Sequence, residues 1–298
     1  MSQNGTNRRR FFQYAAALGI GGQTLLKSGD VSAAIYDTRE AASSPWPEMQ
    51  YTTLGRTGFR ASRLTFGCGA SLMRASKDQL LNTALEAGIN VFDVGTGRYY
   101  DMAERNLKNF LKANRDDIFL ITKSSPGHAE RSLYKQPDDE FSVDEAKRAA
   151  RGWLGILDES LNDLGVDHVD AYYLMASNNT RMIGSEEIYR AFEGAREAGK
   201  VKYLGLSSHQ NAQGVLEKAI QTGWYDLAMI AITPGGWYDW EGKDMLAGSP
   251  PMADLRPVLD QAREAGIGLV GMKAVRYFSG KFFGSGNTRA FDKYYPEA

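Results

Sequence analysis

The amino-acid sequence predicts an α/β protein whose core is a parallel barrel of the (β/α)₈ kind. Three segments share one pattern, in which a helix end is followed by a glycine and then by a short apolar strand. They are ALEAGINVFDV (84–94), AREAGKVKYLGLSS (195–208) and AREAGIGLVGMKAV (262–275). Glycine tolerates the left-handed conformation that closes a helix, and strands that are apolar on both faces are typical of a parallel sheet covered on each side. The alternation of helices and strands indicates the α/β class.

Seven candidate strands set the order of the predicted barrel. A hairpin precedes them in MQYTTLGRTGFRAS (49–62), where Arg-Thr-Gly separates two strand-like runs. The candidate strands are Leu64–Gly67, Val91–Val94, Phe119–Lys123, Ala171–Ala176, Tyr203–Ser207, Leu227–Ile232 and Leu269–Lys273. An open doubly wound sheet is the alternative. It is less favoured because no Gly-x-Gly-x-x-Gly run follows the first strand.

Two stretches predict amphipathic helices between these strands. In SKDQLLNTALEAG the apolar residues recur on one face, and Ser76 is the expected N-cap. AKRAARGWLGILDESLNDLG has the same periodicity, with its charged residues on a solvated face. The residues expected to face the core are Leu80, Leu81, Ala84, Leu85, Trp153, Leu154, Leu157 and Leu161.

Composition narrows the function classes. The 298 residues are 43% hydrophobic and 24% charged, which is ordinary for a globular protein, and the net charge is -1. With no basic excess and no polybasic block, neither a nucleic-acid partner nor a membrane partner is expected. The lone Cys68 excludes an internal disulfide and a metal site built from cysteines.

The first 33 residues are expected to be an export signal. TNRRRFFQYAAALGIGGQTLL has a basic start and a weakly apolar run too short to span a bilayer, and Arg-Arg-x-Phe-Phe resembles a twin-arginine signal. Cleavage is expected after Ala33 in VSAA, residues 34–48 are interpreted as a linker, and the barrel occupies 49–298. A disordered basic tail is the alternative. The signal predicts a bacterial protein that is exported folded to the periplasm or secreted.

Charged residues follow two neighbouring strands at the predicted mouth of the barrel. Asp93 ends the second strand and Lys123 ends the third, and in a parallel barrel function lies at these strand ends. Isolated buried charges are costly, so we expect the two to pair. A tyrosine from the next loop, Tyr99 or Tyr100, could reach the pair, and Lys123 would lower its pKa from ~10. The tyrosine could then protonate a carbonyl oxygen during hydride transfer. A structural ion pair with surface tyrosines is the alternative.

Several motifs in order resemble the aldo-keto reductase family. They are YTTLGRTGFRASRLTFGCG, GINVFDVGTGRYYDMAE, IFLITK, LDESLNDLGVDHVDAYYL, GKVKYLGLSSH and GIGLVGMKAV, which together run from about 49 to 275. The resemblance implies a TIM barrel and NADP(H)-dependent reduction of a carbonyl to an alcohol. It places Asp93 and Lys123 on the family's catalytic aspartate and lysine.

The sequence departs from the family at the catalytic positions. The usual tyrosine position, five residues after the aspartate, holds Arg98, and the spacing to Glu104 favours Tyr100 over Tyr99 as its replacement. Met175 stands where the family has histidine, and a thioether cannot donate a hydrogen bond. Loss of such a donor costs roughly 10²–10³ in rate. Met175 as core filler and His209 as a substitute donor are both open.

The expected cofactor contacts are also altered. By resemblance, Ser207 and Ser208 take the place of a Ser-Asn pair on the nicotinamide amide. Met229 stands near a usual glutamine, and Met272 stands at a stacking tyrosine. Arg276 and Lys281 lie in a glycine-rich stretch that could bind an anion.

No eighth strand is predicted in the closing RAFDKYYPEA, so the barrel is expected to be incomplete at its C-terminal end. Three explanations are open. The chain could be a fragment, residues 276–298 could cover the gap in the barrel, or a partner could cover it. The resemblance implies an NADP(H)-dependent oxidoreductase acting on a small aldehyde or ketone, and the altered positions predict weak activity. The alternatives are a ligand-binding barrel without turnover and a Schiff-base enzyme using Lys123.

Overall fold

A short antiparallel hairpin begins the part of the chain that the structure describes. The computed structural model describes residues 48–242 and 244–274. Strand β1 (Tyr51–Thr53) pairs with β2 (Arg60–Ser62), which confirms the predicted hairpin. Its apolar residues Leu54 and Ala61 are buried against the barrel interior. The hairpin therefore closes one end of the barrel and leaves the other end available for a site.

The barrel strands are parallel and occur in the predicted order. The remaining strands are β3 (Phe66–Gly67), β4 (Val91–Asp93), β5 (Phe119–Ser124), β6 (Val169–Met175), β7 (Val201–Ser208), β8 (Leu227–Thr233), β9 (Gly236–Asp239), β10 (Asp244–Met245) and β11 (Gly268–Met272). From β3 to β8 each strand pairs with the next, and β11 pairs with β8. All seven predicted barrel strands are confirmed, with ends shifted by at most two residues. The antiparallel extension β9–β10 beside β8 was not predicted.

Helices pack around the outside of the curled sheet. They are α1 (Cys68–Leu72), α2 (Asp78–Glu86), α3 (Gly97–Tyr100), α4 (Ala103–Asn114), α5 (Val143–Leu164), α6 (Thr180–Ile183), α7 (Glu186–Glu197), α8 (Ala212–Thr222) and α9 (Arg256–Glu264). The expected core-facing residues of α2 and α5 are all buried or partly buried against the core. Among the described helices, none is long and apolar enough to cross a membrane.

The start of α2 differs from the prediction. Lys77, not Ser76, takes the N-cap position, and no side chain caps the helix. The Ser76 hydroxyl instead donates a hydrogen bond to the carboxylate of Asp78. Helix α5 has the sequence-encoded cap that α2 lacks: the Ser142 side chain accepts from the Glu145 N–H, and Glu145 accepts from the Ser142 N–H.

The curled sheet is an incomplete barrel over the described residues. Within them, β3 pairs only with β4, and β11 pairs only with β8, so these two strands do not close on each other. The predicted export signal and most of the linker lie outside the described residues, as do Arg276 and Lys281, for which anion binding was predicted.

Side chains alternate between the barrel interior and the helical layer, and this alternation positions the site. On β4, Val91 lies in the interior cluster and Asp93 follows on the same face. On β5, Phe119 and Ile121 lie inside, and Lys123 follows them. The inward-facing rows of β4 and β5 are therefore apolar along their length, and each ends in a charged residue at the mouth.

Candidate functional site at the mouth of the barrel

Asp93 and Lys123 form a buried ion pair, as the sequence predicted. Their exposed fractions are 9% and 4%. The Lys123 ammonium donates to Asp93 Oδ1 at 2.5 Å, to Asp93 Oδ2, and to the carbonyl oxygen of Val94 at 2.7 Å. Its three N–H groups are thereby all satisfied. Burial raises the pKa of Asp93, and the adjacent Lys123 ammonium opposes that rise.

The loop after β4 is fastened to β5 beside this pair. The N–H of Thr96 donates to the carbonyl of Lys123 at 3.0 Å. Glu104, only 1% exposed, accepts hydrogen bonds from the Gly97 N–H at 3.2 Å and from the Thr122 hydroxyl at 2.6 Å. Sequence reasoning used Glu104 only as a spacing marker. Its buried carboxyl is what ties the loop that carries the tyrosines to the strand that carries Lys123.

The Arg98 side chain points away from the site, although this residue occupies the position at which the resemblance implies a tyrosine. Its guanidinium donates to both carboxylate oxygens of Glu159 on α5, at 2.8 and 2.6 Å. It also donates to the carbonyl oxygen of His128 at 3.0 Å. The short helix α3 turns the chain so that Arg98 points outward and Tyr100 returns towards the barrel.

Tyr100 lies next to the ion pair in a slot bounded by two glycines. A Cβ atom on Gly69 would be 2.7–2.8 Å from three atoms of the Tyr100 ring. A Cβ on Gly95 would be 2.9 and 3.0 Å from the other side of the ring and 3.1 Å from Lys123 Cγ. The Lys123 ammonium is 5.8 Å from the ring centroid. The sequence offered no signal for these glycines beyond their proximity to the strand ends.

Tyr99 occupies a more peripheral position. Its side chain is 46% exposed, packs edge-to-face against Tyr100 at 4.7 Å between centroids, and stacks on His128 at 5.6 Å. Tyr100 is therefore the tyrosine whose ring lies against Lys123. Its role as the acid remains a prediction.

The expected lowering of the tyrosine pKa was wrong for Tyr100. Burial raises its pKa, and the Asp93 carboxylate and neighbouring Tyr99 raise it further. Burial is the main cause, and the Lys123 ammonium does not offset it because its N–H groups point to Asp93 and Val94 rather than to the phenol. Tyr100 is accordingly a protonated phenol at neutral pH, as a proton donor must be.

The opposite half of the mouth contains sulfur and hydroxyl groups. Met175, Ser207 and Met229 stand opposite one another in register on β6, β7 and β8, and each is at most 5% exposed. Met272 lies beyond them on β11, opposite Ala231. The structure thus brings four predicted positions to one side of the mouth.

Two hydroxyls near this row are buried without a hydrogen-bond partner among the described residues, Tyr173 Oη and Ser207 Oγ. Tyr173 fits against β7 because Gly205 has no side chain; a Cβ there would be 2.1 Å from the ring. The Ser208 hydroxyl, by contrast, donates to the Gln210 carbonyl at 2.5 Å and lies 3.1 Å from Asn178 Oδ1. Among the described residues the buried Ser207 hydroxyl therefore has no partner, whereas the Ser208 hydroxyl is committed to its own loop.

The histidines occupy separate places. The His209 ring lies against Trp240, 4.8 Å between centroids, beyond the end of β7. His168 precedes β6 and contacts Asp167, at the opposite end of the barrel. His128 follows β5 at the mouth. Among the described residues, no group of three or more His, Cys, Asp or Glu side chains is arranged to hold a metal.

Comparison with known proteins identifies the family. The profile described as "Aldo/keto reductase family" matches residues 64–276, which is most of the chain. The chain belongs to the aldo-keto reductase family.

Individual relatives are distant. The chain is 28% identical over 173 residues to L-glyceraldehyde 3-phosphate reductase of Escherichia coli (strain K12), covering 54% of this chain and 46% of that protein. It is 29% identical over 171 residues to "Aldo-keto reductase yakc [NADP(+)]" of Schizosaccharomyces pombe, covering 55% and 46%. The chain spans about half the length of the curated relatives it matches.

A solved structure shares the fold. It is a Pseudomonas aeruginosa protein assigned to the aldo-keto reductases, with 20% identity and a TM-score of 0.52 over 74% of this chain and 77% of that one. At this identity the likeness shows the fold alone.

Proposed function

We propose that this aldo-keto reductase reduces a small aldehyde or ketone to an alcohol with NADP(H). The observation that carries the proposal is the buried Asp93–Lys123 pair with the Tyr100 ring held beside it. Two relatives are named as reductases, one of them with NADP(+) in its name. These names support a carbonyl substrate and a nicotinamide cofactor.

In this proposal Tyr100 supplies the proton. When bound, NADP(H) would supply the hydride that adds to the carbonyl carbon. The phenol O–H of Tyr100 would break as a new O–H bond forms on the carbonyl oxygen. The Lys123 ammonium, which Asp93 holds 5.8 Å from the Tyr100 ring centroid, would have to turn towards the phenolate to stabilise it as the proton leaves. A Schiff-base reaction is less favoured because all three N–H groups of Lys123 are already hydrogen-bonded.

The residues present fit the nicotinamide in part. Ser207 has a buried hydroxyl without a partner among the described residues, and it lies at the mouth, as a contact to the carboxamide requires. Met229 and Met272 offer polarisable side chains that could pack against a ring. Ser208 does not fit without giving up its bond to Gln210.

We infer that the activity is weak. Met175 places a thioether, 5% exposed, where the resemblance implies a hydrogen-bond donor to the carbonyl oxygen. The same observation favours the second candidate function, a barrel that binds a small ligand without turning it over.

One experiment separates the two. The purified protein is titrated with NADPH by fluorescence, and oxidation of NADPH with an aldehyde is followed for the wild type, Tyr100→Phe and Tyr99→Phe. The proposal expects saturable quenching and slow turnover, with a ~10²–10⁴-fold loss in Tyr100→Phe and little change in Tyr99→Phe. Quenching without turnover supports the binding barrel. No quenching at all removes the nicotinamide from the proposal.

We also propose export to the periplasm through the twin-arginine route, on the strength of Arg-Arg-x-Phe-Phe in residues 8–12. Cell fractionation of the full chain tests it. Replacing Arg8 and Arg9 with lysine should retain the protein in the cytoplasm, and an unchanged distribution would remove the proposal.

A further inference from the structure

Three methionines face the barrel interior on one side of the mouth. Met229 lies in the interior apolar cluster, and Met272 packs against that cluster. Met175 is the third inward-facing residue in a row on β6, after Ala171 and Tyr173 of the same cluster. The resemblance implies three different residue types at these positions, and all three hold methionine. Met175, Met229 and Met272 are called the thioether cluster below.

The strand register brings the three side chains of the thioether cluster within reach of one another. Met175 stands opposite Ser207, and Ser207 stands opposite Met229. Because neighbouring strands lie about 4.8 Å apart, the Cα atoms of Met175 and Met229 are separated by about 10 Å. Met272 lies on β11, two residues nearer the mouth than Val270, which is the partner of Met229. Methionine is unbranched with three rotatable bonds, so three such side chains on the concave face of a curled sheet can meet at one point.

Apolar packing does not account for this side of the mouth. Met175 is 5% exposed, yet among the described residues it belongs to neither of the two apolar clusters, inside and outside the sheet. The Ser207 hydroxyl lies between Met175 and Met229, is buried, and has no hydrogen-bond partner among the described residues. Buried polar atoms without a partner are uncommon in native proteins, and a bound ion is one explanation for them. The row therefore has the character of a binding site.

The chemistry of the thioether cluster selects the kind of ion. Thioether sulfur is a soft ligand that favours Cu(I), whereas carboxylate and carbonyl oxygens suit Mg²⁺, Ca²⁺ and Mn²⁺. All three thioethers are neutral, and the Asp93 carboxylate in the other half of the mouth is already paired with Lys123. Removing an ion from water is costly unless its charge is balanced, so a site of neutral ligands favours a monovalent ion over a divalent one.

We propose that the thioether cluster binds one Cu(I) ion at the mouth of the barrel. The sulfur atoms of Met175, Met229 and Met272 are its ligands. The site occupies the part of the mouth at which the proposed function places the nicotinamide, so Cu(I) and NADPH exclude each other. The proposal goes beyond carbonyl reduction and does not depend on it, because ion binding requires neither a substrate nor Tyr100.

A competition experiment tests the proposal. The full chain is titrated without oxygen against the Cu(I) complex of bicinchoninate, whose absorbance falls as the protein removes copper. The wild type should take up one equivalent. Since loss of a residue that only orients a ligand already costs about 10–100-fold in metal affinity, each single Met→Leu variant should bind at least tenfold more weakly. The triple variant Met175→Leu, Met229→Leu, Met272→Leu should not compete.

Leucine has nearly the volume of methionine, so these variants should keep the fold, which circular dichroism checks. No uptake by the wild type, or unchanged uptake by the folded triple variant, would overturn the proposal.

Two control variants test whether the sulfur ligands are the ones assigned. Cys68 is a free, buried thiol and is itself a soft ligand, so Cys68→Ala must retain the wild-type affinity. Met182 is also a buried methionine, 3% exposed, but it lies on α6 in the outer layer. Met182→Leu should likewise bind as the wild type does. A loss in either variant as large as in the single variants of the thioether cluster would contradict the assignment.

NADPH separates this proposal from the proposed function. If NADPH quenches the fluorescence of the wild type, prior loading with Cu(I) should abolish that quenching, and simultaneous binding would overturn the shared site. If NADPH does not quench at all, the proposed function loses its cofactor, and the copper titration still decides whether the thioether cluster binds an ion.

Discussion

The half of the mouth built from β3, β4 and β5 is charged, whereas the half built from β6, β7 and β8 holds thioethers and hydroxyls. In the first half every donor of Lys123 has an acceptor, and the Tyr100 ring fits between two glycines. In the second half Met175 and Met229 are buried, and the Ser207 hydroxyl lacks a partner among the described residues. The difference indicates that the first half has the side chains needed to transfer a proton. The second half has fewer side chains that could orient a carbonyl or a cofactor through hydrogen bonds.

The largest effect is expected from Lys123→Met. It should lower turnover by about 10²–10⁴-fold and the free energy of unfolding by about 3–5 kcal/mol, because Asp93 becomes an unpaired buried charge. Aldehyde reduction and denaturant unfolding measure the two effects. The double variant with Asp93→Asn should regain most of the stability but none of the activity. Recovery of activity in the double variant would show that the pair is only structural.

The next largest effect is expected in the half of the mouth built from β6, β7 and β8. Met175→His restores a donor at the mouth and should raise kcat by about 10²-fold in steady-state kinetics. Met175→Leu, which removes the sulfur without adding a donor, should leave kcat near the wild-type value. If the histidine variant folds and binds NADPH but is no faster, the missing donor does not limit the rate.

An effect of at most that size is expected from the packing around Tyr100 and Lys123. Gly95→Ala introduces a methyl group between Tyr100 and Lys123, and an ångström of displacement can cost about 10²-fold in rate. The loss should appear in kcat more than in NADPH affinity. Gly155→Ala is the matched control, since a Cβ at that exposed helical position meets no atom within 4 Å. Equal kinetics in the two variants would argue against the glycine slot.

The smallest effect concerns the helix that supports both halves. Trp153 on α5 donates to the Ser124 carbonyl of β5 and stacks on Tyr172 of β6. Hydrogen bonds from Lys135 and Ser142 lower the pKa of Glu145, in the first turn of α5, from 4.5 to about 2. The stability that Glu145 contributes is therefore complete above its ordinary pKa and is lost as the pH falls through about 2.

Glu145→Gln should cost about 0.2–1 kcal/mol at neutral pH because it removes the ion pair with Lys135, and this difference from the wild type should vanish below about pH 2. Unfolding measured across pH checks it, with Asp144→Asn in the same turn as the control. Turnover should be unchanged in both variants. A loss of turnover in Glu145→Gln would mean that the start of α5 affects the site and not only the stability of the fold.

Sequence reasoning predicted the strands well because buried parallel strands are short apolar runs that follow a glycine at a helix end. It also predicted the Asp93–Lys123 pair, because charged residues ending neighbouring parallel strands meet at one edge of the sheet. It did not predict the glycine slot around Tyr100. It also did not predict the hydrogen bonds through which Glu104 joins the loop after β4 to β5. Both depend on contacts between segments far apart in the chain, such as Gly69 with Tyr100 and Glu104 with Thr122.

The sequence by itself determined the order of strands and helices, membership of the aldo-keto reductase family and the charged pair, since each depends on local pattern and on which residue ends a strand. Only the tertiary structure decided that Arg98 turns outward, that the Tyr100 ring fits between two glycines, and that the Tyr100 pKa rises. Those outcomes depend on burial depth and on the direction of each donor. Both are set by packing between distant segments, which a linear pattern does not encode.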